Sequence, residues 1–286
     1  MSSTVKDPHE NQPLEPKFQE MADAVGRLAR LMHTLRAPNG CAWDRDQSLE
    51  SLKPYLLEEA YEVLHALEQG SVQEHLEELG DLLLQIIFQS EIRSEEDAFS
   101  LRDVADGIYA KLVRRHPHVF ADATAGSSKE AYGSWETIKA KERAAQGSKQ
   151  KGVLDGVPDA LPALLRAYRI GEKASSVGFD WSSASGAFEK LREELRELEE
   201  VLDGQEGSIE NKRVEEELGD LLFAAVNLAR HRKIDPESAL RNATFKFQKR
   251  FEFVEEALRR DDLPIQDAGL ELLESLWQKA KAQEKQ

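Results

Sequence analysis

The sequence is poor in several residue types and patterns, and each shortage narrows the class of protein. Cys41 is the one cysteine among 286 residues, so no disulfide can form within the chain, which is typical of a reducing compartment. No apolar run approaches the roughly 20 residues that a membrane-spanning helix needs, and the N-terminus has no basic segment followed by an apolar one. We therefore expect a cytoplasmic protein with no membrane partner.

Basic residues are also in short supply. The chain has 38 Lys and Arg residues against 54 Asp and Glu residues, and its formal net charge at pH 7 is −16. Nucleic-acid polymers are bound through an excess of positive charge, so we do not expect a nucleic-acid partner. The same acidity raises the local concentration of divalent cations.

An acidic pattern occurs twice in the chain. The first copy reads EEAYE at 58–62 and, after a short loop, EELGDLL at 77–83. The second copy reads EELRE at 193–197 and, after a longer loop, EELGDLL at 216–222. At about 100° per residue, each segment forms an apolar helix stripe with two acids along its edge.

We expect the two helices of each copy to pack antiparallel through their stripes, so that four carboxylates converge beside each seam. The two sets are Glu59, Glu62, Glu78 and Asp81 in the first half, and Glu194, Glu197, Glu217 and Asp220 in the second. Protons, basic side chains or a hard cation could neutralise them. Because only oxygen ligands are offered, the pattern suits Mg²⁺, with Mn²⁺ as a substitute.

Breaker residues divide the chain into two similar halves. We predict a disordered tail at 1–17, a helical domain at 18–146, a linker at 147–159 and a second helical domain at 160–286. Each domain is expected to hold four or five helices. The predicted fold is therefore all-α, with two tandem helical modules.

Local signals give several helix ends. The first helix is expected at about 18–36, followed by a loop at 40–44, and the fourth helix at about 101–116, stopped by Pro117. In the second half, a helix is expected at about 162–176, and Asp235 with Pro236 begins a later one. Capping boxes are predicted at Ser71 with Glu74 and at Ser100 with Asp103.

Basic and aromatic residues repeat in step with the acids. Each half has a Lys and an Arg spaced i, i+4, then a Trp and a Lys with the same spacing: Lys111, Arg115, Trp135 and Lys139 in the first half, and Lys246, Arg250, Trp277 and Lys281 in the second. A repeated hydrophobic core alone gives no reason for these bases to follow the acids in the same order in both halves. Together they favour a nucleoside polyphosphate site, in which a cation and bases bind phosphates and an indole stacks on a nucleobase.

Plainer explanations remain open for each feature. The acids could form solvated helix faces, the bases could be surface charges or ion-pair partners of the acids, and the tryptophans could be core residues. His116 and His118 flank the end of a helix and are interpreted as structural. A di-iron bundle would need two Glu-x-x-His motifs. Glu62 with His65 supplies one, but the second half has Glu200 at the equivalent position.

The motifs resemble those of the MazG family of nucleoside triphosphate pyrophosphohydrolases, whose mark is EExxE followed at some distance by ExxD. The resemblance covers about residues 20–285 and includes GCAWD at 40–44, RRHPHVF at 114–120 and VGFDW at 177–181. It implies an all-α fold, a homodimer with intertwined helices, and Mg²⁺-dependent cleavage of NTPs or dNTPs to the monophosphate and pyrophosphate.

The resemblance also implies residue roles. It implies that the eight acids named above are metal ligands. It also implies that four residues of the second half contact the nucleotide: Lys246, Arg250, Trp277 and Lys281. By repetition, the corresponding residues of the first half are candidate substrate contacts. The rival interpretation is a non-catalytic nucleotide-sensing or scaffold protein that keeps the repeated bundle for assembly.

The two halves differ seven residues after each ExxD aspartate, where the helix returns to nearly the same face. Asn227 occupies this position in the second half and Phe88 in the first. An asparagine can donate to and accept from a sugar or base, whereas a phenylalanine can only pack. We therefore predict that the second half carries most of the turnover, with its four acids as the catalytic set and Asn227 as a substrate contact.

Separate Glu197→Ala and Glu62→Ala variants test this assignment. Each removes one ligand, so a large loss of pyrophosphate release is expected only where turnover occurs. We expect a large loss in Glu197→Ala and a small one in Glu62→Ala, measured over several NTPs. Lost activity in Glu62→Ala beside intact activity in Glu197→Ala would contradict the prediction.

Overall fold

A computed structural model of the chain describes residues 12–120, 127, 138, 142, 152–202 and 208–283. The chain divides into two compact units, Met1–Ser148 and Lys149–Gln286. Every regular element in the described residues is a helix, and the predicted all-α class is confirmed. Within these residues, no helix is both long enough and apolar enough to cross a membrane.

The first unit is arranged around one long helix. The described helices are α1 (Pro16–Arg36), α2 (Ala42–Asp46), α3 (Lys53–Gln69), α4 (Val72–Glu95), α5 (Leu101–Arg115) and α6 (Pro117–Phe120). Helices α1, α3 and α5 all pack against α4. Their contact forms a buried core of Met32, Leu52, Ile87, Phe88 and Ile92.

The second unit repeats this arrangement. Its described helices are α7 (Ala163–Ser176), α8 (Ala184–Leu202), α9 (Ser208–His231), α10 (Pro236–Arg260), the 3₁₀ turn Ile265–Asp267 and α11 (Gly269–Gln283). Helix α9 takes the place of α4, because α7, α8 and α10 pack against it. The acidic motif therefore lies on equivalent helix pairs, α3–α4 and α8–α9.

The local signals in the sequence placed most helix ends well. The capping box of α4 forms as predicted: the Ser71 N–H donates to Glu74 at 2.5 Å and the Glu74 N–H donates to Ser71 at 3.2 Å. The second box forms at the start of α5. Helix α1 begins at Pro16, inside the predicted tail, and residues 1–11 of that tail lie outside the described residues. Within the predicted linker, residues 152–159 form no helix.

Two short helices were not predicted. Helix α2 lies where we expected the loop at 40–44, and α6 begins at Pro117, where we expected helical structure to stop. Pro117 does end α5, but it also serves as the first residue of α6. Proline is well tolerated there, because the first N–H of a helix has no partner within the helix.

The leucine stripes are covered only in part within each unit. Leu52 is buried, but many stripe residues are exposed: Leu56, Leu64, Leu67, Leu79 and Ile86 in the first unit, and Leu195, Leu202, Leu218 and Ala225 in the second. Each unit thus exposes more apolar helix face than its own helices cover, as expected for four or five short helices. An apolar face remains on each acidic helix pair.

The beginning of α10 is attached to the beginning of α7. Asp235 caps α10 as predicted, accepting from the N–H groups of Glu237 and Ser238 at 3.2 and 3.3 Å. Glu237 accepts from the N–H groups of Leu164 and Leu165 at 3.1 and 3.4 Å. A carboxylate is favoured there by the dipole of α7. This contact positions α10, which carries Lys246 and Arg250.

In each unit an ion pair of a buried arginine joins the acidic helix pair to the first helix. The arginine lies at the end of the first helix in one unit and on the acidic helix pair in the other. Arg36, at the end of α1, donates two hydrogen bonds to Glu95 of α4 at 2.7 and 2.8 Å. In the second unit Arg230 of α9 donates to Asp180, in the loop after α7, at 2.8 and 2.5 Å. His231 also contacts Asp180, at 3.0 Å. Two-bond arginine–carboxylate pairs are the stronger and more directional ones.

The ion pair of Asp180 makes the stability of the second unit depend on pH. Hydrogen bonds from Arg230 lower the pKa of Asp180 from 3.8 to about 2. A lowered carboxyl pKa stabilises the fold above the ordinary value, and this contribution is lost as the pH falls from about 4 towards 2. Allowing for solvent screening, we expect Asp180→Asn to lower the free energy of unfolding by about 1 kcal/mol at pH 7.

Urea denaturation at pH 7, 4 and 2.5 measures this effect. The difference from the unsubstituted protein is expected to shrink towards pH 2.5. Glu96→Gln is a matched control, because Glu96 pairs with Arg93 on the surface, where the side chains are 49% and 40% exposed and such pairs contribute little. An equal loss of stability at pH 7 and pH 2.5 would contradict the assignment to Asp180.

Candidate metal and nucleotide site

Three carboxylates meet on the α3–α4 pair. One oxygen from each of Glu59, Glu78 and Asp81 lies within 4.8 Å of the other two. Helix α3 contributes Glu59, and the i, i+3 spacing on α4 places Glu78 and Asp81 on one face. Glu62 lies outside this group of three, but its charge acts on the pKa of both Glu59 and Glu78.

The α8–α9 pair repeats the cluster. Oxygens of Glu194, Glu217 and Asp220 also lie within 4.8 Å of one another, and Glu194 is buried. Glu197 takes the place of Glu62, beside the group, and interacts with Glu194. In each unit the structure thus brings three of the four predicted acids together and places the fourth next to them.

Burial and mutual repulsion both raise the pKa values of acids in these clusters. Burial, followed by the charges of Asp81 and Glu62, raises the pKa of Glu59. Burial, followed by the charges of Glu62 and Asp81, raises the pKa of Glu78. In the second unit, burial and then the charge of Glu194 raise the pKa of Glu197. Each raised value reflects burial first and repulsion between ionised acids second, and a cation between the acids would offset both costs.

The donor set fits a hard divalent cation. All the donors are carboxylate oxygens, and ligands at the Mg–O distance of about 2.0–2.1 Å are at most about 4.2 Å apart. The observed limit of 4.8 Å requires only a small contraction of the group. Within the described part of the chain, no basic side chain forms an ion pair with Glu59, Glu78 or Asp81. Among the described residues, protons or a cation are then the remaining ways to neutralise those three acids.

The second cluster has a basic neighbour that the sequence analysis missed. Lys190, one turn before Glu194 on α8, contacts Glu193 and Glu194 at 2.7 Å each. The hydrogen bonds that Lys190 donates to these carboxylates, Glu193 first, raise the pKa of Lys190. At Glu194, therefore, a basic side chain does act as a neutralising partner. The available signal was the i, i+4 spacing of Lys190 and Glu194, which the first half lacks because Tyr55 stands at the equivalent position.

Two of the predicted nucleotide contacts meet on α10 and α11. The guanidinium carbon of Arg250 lies 5.7 Å from the ring centroid of Trp277, whose ring is also 5.0 Å from that of Phe247. Trp277 packs against the α10–α11 core as well, so the core interpretation also applies to it. Lys246 is exposed and Lys281 is half-buried. The acids lie on α8 and α9, and α10 packs against α9.

Arg115, the equivalent base in the first unit, has a carboxylate partner. It donates to Glu142 at 3.0 and 2.7 Å, and Arg114 donates to the same carboxylate. Although burial opposes the change, these hydrogen bonds lower the pKa of Glu142. Lys111 is half-buried. The predicted contacts Trp135 and Lys139 lie outside the described residues, as does most of the short helix expected to carry them.

Asn227 lies in the interior of the second unit. It is only 4% exposed. Its Nδ2 donates to the carbonyl of Phe223 at 3.2 Å, and its Oδ1 accepts from Arg230 at 3.3 Å. Its counterpart Phe88 is also buried, with its ring centroid 5.4 Å from the guanidinium carbon of Arg36. Both residues thus contact a buried arginine. A contact between Asn227 and the substrate stays a prediction.

Comparison with known proteins agrees with this arrangement. The family model described as MazG nucleotide pyrophosphohydrolase domain matches residues 47–120 and 183–254, which contain all eight acids. A Thermotoga maritima protein named nucleoside triphosphate pyrophosphohydrolase/pyrophosphatase MazG is 46% identical over 254 residues, covering 89% of this chain and 94% of that protein.

Two further relatives are similar over most of the chain. A nucleoside triphosphate pyrophosphohydrolase of Escherichia coli K12 is 42% identical over 261 residues, covering 91% of this chain and 98% of that protein. The uncharacterized protein YabN of Bacillus subtilis is 40% identical over 255 residues, but these make up only 51% of its length. The repeated acidic helix pairs, the two matched segments and these identities show that the chain belongs to the MazG nucleotide pyrophosphohydrolase family.

Proposed function

We propose that the protein is a Mg²⁺-dependent nucleoside triphosphate pyrophosphohydrolase, which converts NTPs or dNTPs to the monophosphate and pyrophosphate. The observation that supports this most directly is the repeated cluster of three carboxylates from two helices, with oxygens within 4.8 Å of one another. Such a cluster suits a cation that binds a polyphosphate. The names of the Thermotoga maritima and Escherichia coli relatives give this activity for those proteins.

Different residues of the site would bind the cation, the phosphates and the nucleobase. The clustered acids would hold the cation, which when bound supplies charge stabilisation to phosphate oxygens and activates water. Bases of α10 and α11, such as Lys246 and Arg250, would neutralise the remaining phosphate charge, and Trp277 would offer a stacking face to the base. Water adds to the α-phosphorus, and the bond to the oxygen that bridges to the β-phosphorus breaks. The monophosphate and pyrophosphate are then the two products.

The products of hydrolysis test this function. With an NTP and Mg²⁺, we expect equal amounts of monophosphate and pyrophosphate, and none after chelation of the metal. A variant that combines Asp81→Asn with Asp220→Asn keeps side-chain shape but removes one charge from each cluster, and should be inactive. Nucleoside diphosphate as the main product would contradict attack at the α-phosphorus. Nucleotide binding without hydrolysis would favour the sensing or scaffold alternative.

We also propose that two chains form a homodimer through the apolar faces of the acidic helix pairs. Leu67 is 60% exposed, Leu76 64% and Leu79 47%, and all three lie on α3 and α4. Monomeric proteins rarely expose contiguous apolar patches of this kind, whereas dimer interfaces are enriched in them. The cytoplasmic location and the absence of a nucleic-acid partner, both expected from the sequence, stay predictions.

Light scattering at micromolar concentration tests the dimer. The expected mass is twice the 32.2 kDa of the chain. Leu79→Glu places a charge on the apolar face and should shift the protein towards the monomer. Leu270→Glu is the matched control, since Leu270 is 81% exposed at the start of α11. A monomeric mass for the unsubstituted protein would rule out the proposed assembly.

A further inference from the structure

Gln85 is a buried polar residue to which the proposed function assigns no task. It is 6% exposed, and its Oε1 has no hydrogen-bond partner among the described residues. A buried amide oxygen without a partner is unfavourable, because it has lost its hydrogen bonds to water without replacing them. In native proteins such an atom calls for an explanation, and a bound water or ion is a common one.

The position of Gln85 on α4 suggests which group it serves. Gln85 follows Asp81 by four residues and Glu78 by seven, and at about 100° per residue both spacings return to within roughly 40° of one helix face. Four residues advance about 6 Å along the helix axis. Gln85 therefore lies one turn beyond the acidic cluster, on the same side of α4. That separation suits a contact through water.

The second unit lacks this oxygen. Ala224 follows Asp220 by four residues and is 3% exposed, so it occupies the buried position that Gln85 has in the first unit. The two clusters therefore have the same acids but different surroundings. The first has an amide oxygen beside it, whereas the second has a methyl group and, on its other helix, the ammonium group of Lys190.

We propose that Gln85 positions a water molecule in the coordination shell of the first unit's divalent cation, by accepting a hydrogen bond through Oε1. Water on a cation is a strong donor, and the Gln85 oxygen is an acceptor with no other partner among the described residues. Residues that hold the surroundings of a metal in this way also strengthen its binding. The inference rests on the proposed metal-dependent function and adds a positioning residue that distinguishes the first site from the second.

Metal binding tests the inference without relying on turnover. The full chain with Asp220→Asn weakens the second site, so that Mn²⁺ titrated by calorimetry reports mainly on the first. Gln85→Met nearly keeps the side-chain volume but removes the oxygen, and we expect it to weaken Mn²⁺ binding by about tenfold. Gln85→Glu restores an oxygen acceptor and should recover the binding. Gln89→Met makes the same change one turn further along α4 and should leave the affinity unchanged.

Thermal unfolding separates a role of Gln85 in metal binding from a role in packing. Without metal, Gln85→Met should be at least as stable as the Gln85 protein, because it removes the oxygen that lacks a partner. On addition of Mn²⁺, its Tm should rise less. Unchanged Mn²⁺ affinity in Gln85→Met would overturn the inference and leave Gln85 with a packing role. If the unsubstituted protein binds Mn²⁺ at neither cluster or releases no pyrophosphate, the proposed function itself fails, which is a different result.

Discussion

Repulsion between carboxylates across an antiparallel helix pair is the constraint on which the rest of each unit depends. Glu59 on one helix faces Glu78 and Asp81 on the next, and their oxygens stay within 4.8 Å. Close helix packing is needed to hold them there. The connection at Gly70 contributes to it, because a Cβ at this position would lie 2.7 Å from the Cα of Ala66. Glycine thus lets α4 begin directly after α3, and the central helix then receives α1 and α5.

The helices could be predicted from the sequence wherever the signal is local. The Ser71–Glu74 box and the Asp235 cap depend only on residues within three positions, and both form as predicted. The short helix α2 follows an extended Cys41, with no side-chain cap at its start, so no local signal marked it. The burial of the leucine stripes depends on which surfaces come together. Periodicity gives a residue's face on a helix, but not what covers that face.

The same distinction explains the site. Helix spacing alone predicted that Glu78 and Asp81 share a face, and the repeat predicted a second cluster. The role of Asn227 could not be predicted in this way, because its partner Arg230 is held by Asp180, about 50 residues earlier in the chain. No feature of the sequence marked Gln85 as a candidate site residue either. A glutamine is ordinary in a helix until the structure shows that it is buried and that its oxygen has no partner in the part of the chain described.

The opposite polarity of the two arginine ion pairs has a consequence for a chain made of two similar repeats. Such chains are prone to exchange equivalent helices between repeats while they fold. If the first helix of one repeat packed against the other repeat, Arg36 would meet Arg230, and Asp180 would meet Glu95. Each exchange would therefore bring two like charges together. In the observed pairs the arginine side chain is less than 10% exposed, so this repulsion would be only weakly screened by solvent. Charge placement therefore favours assembly of each repeat with its own first helix and disfavours the crossed arrangement.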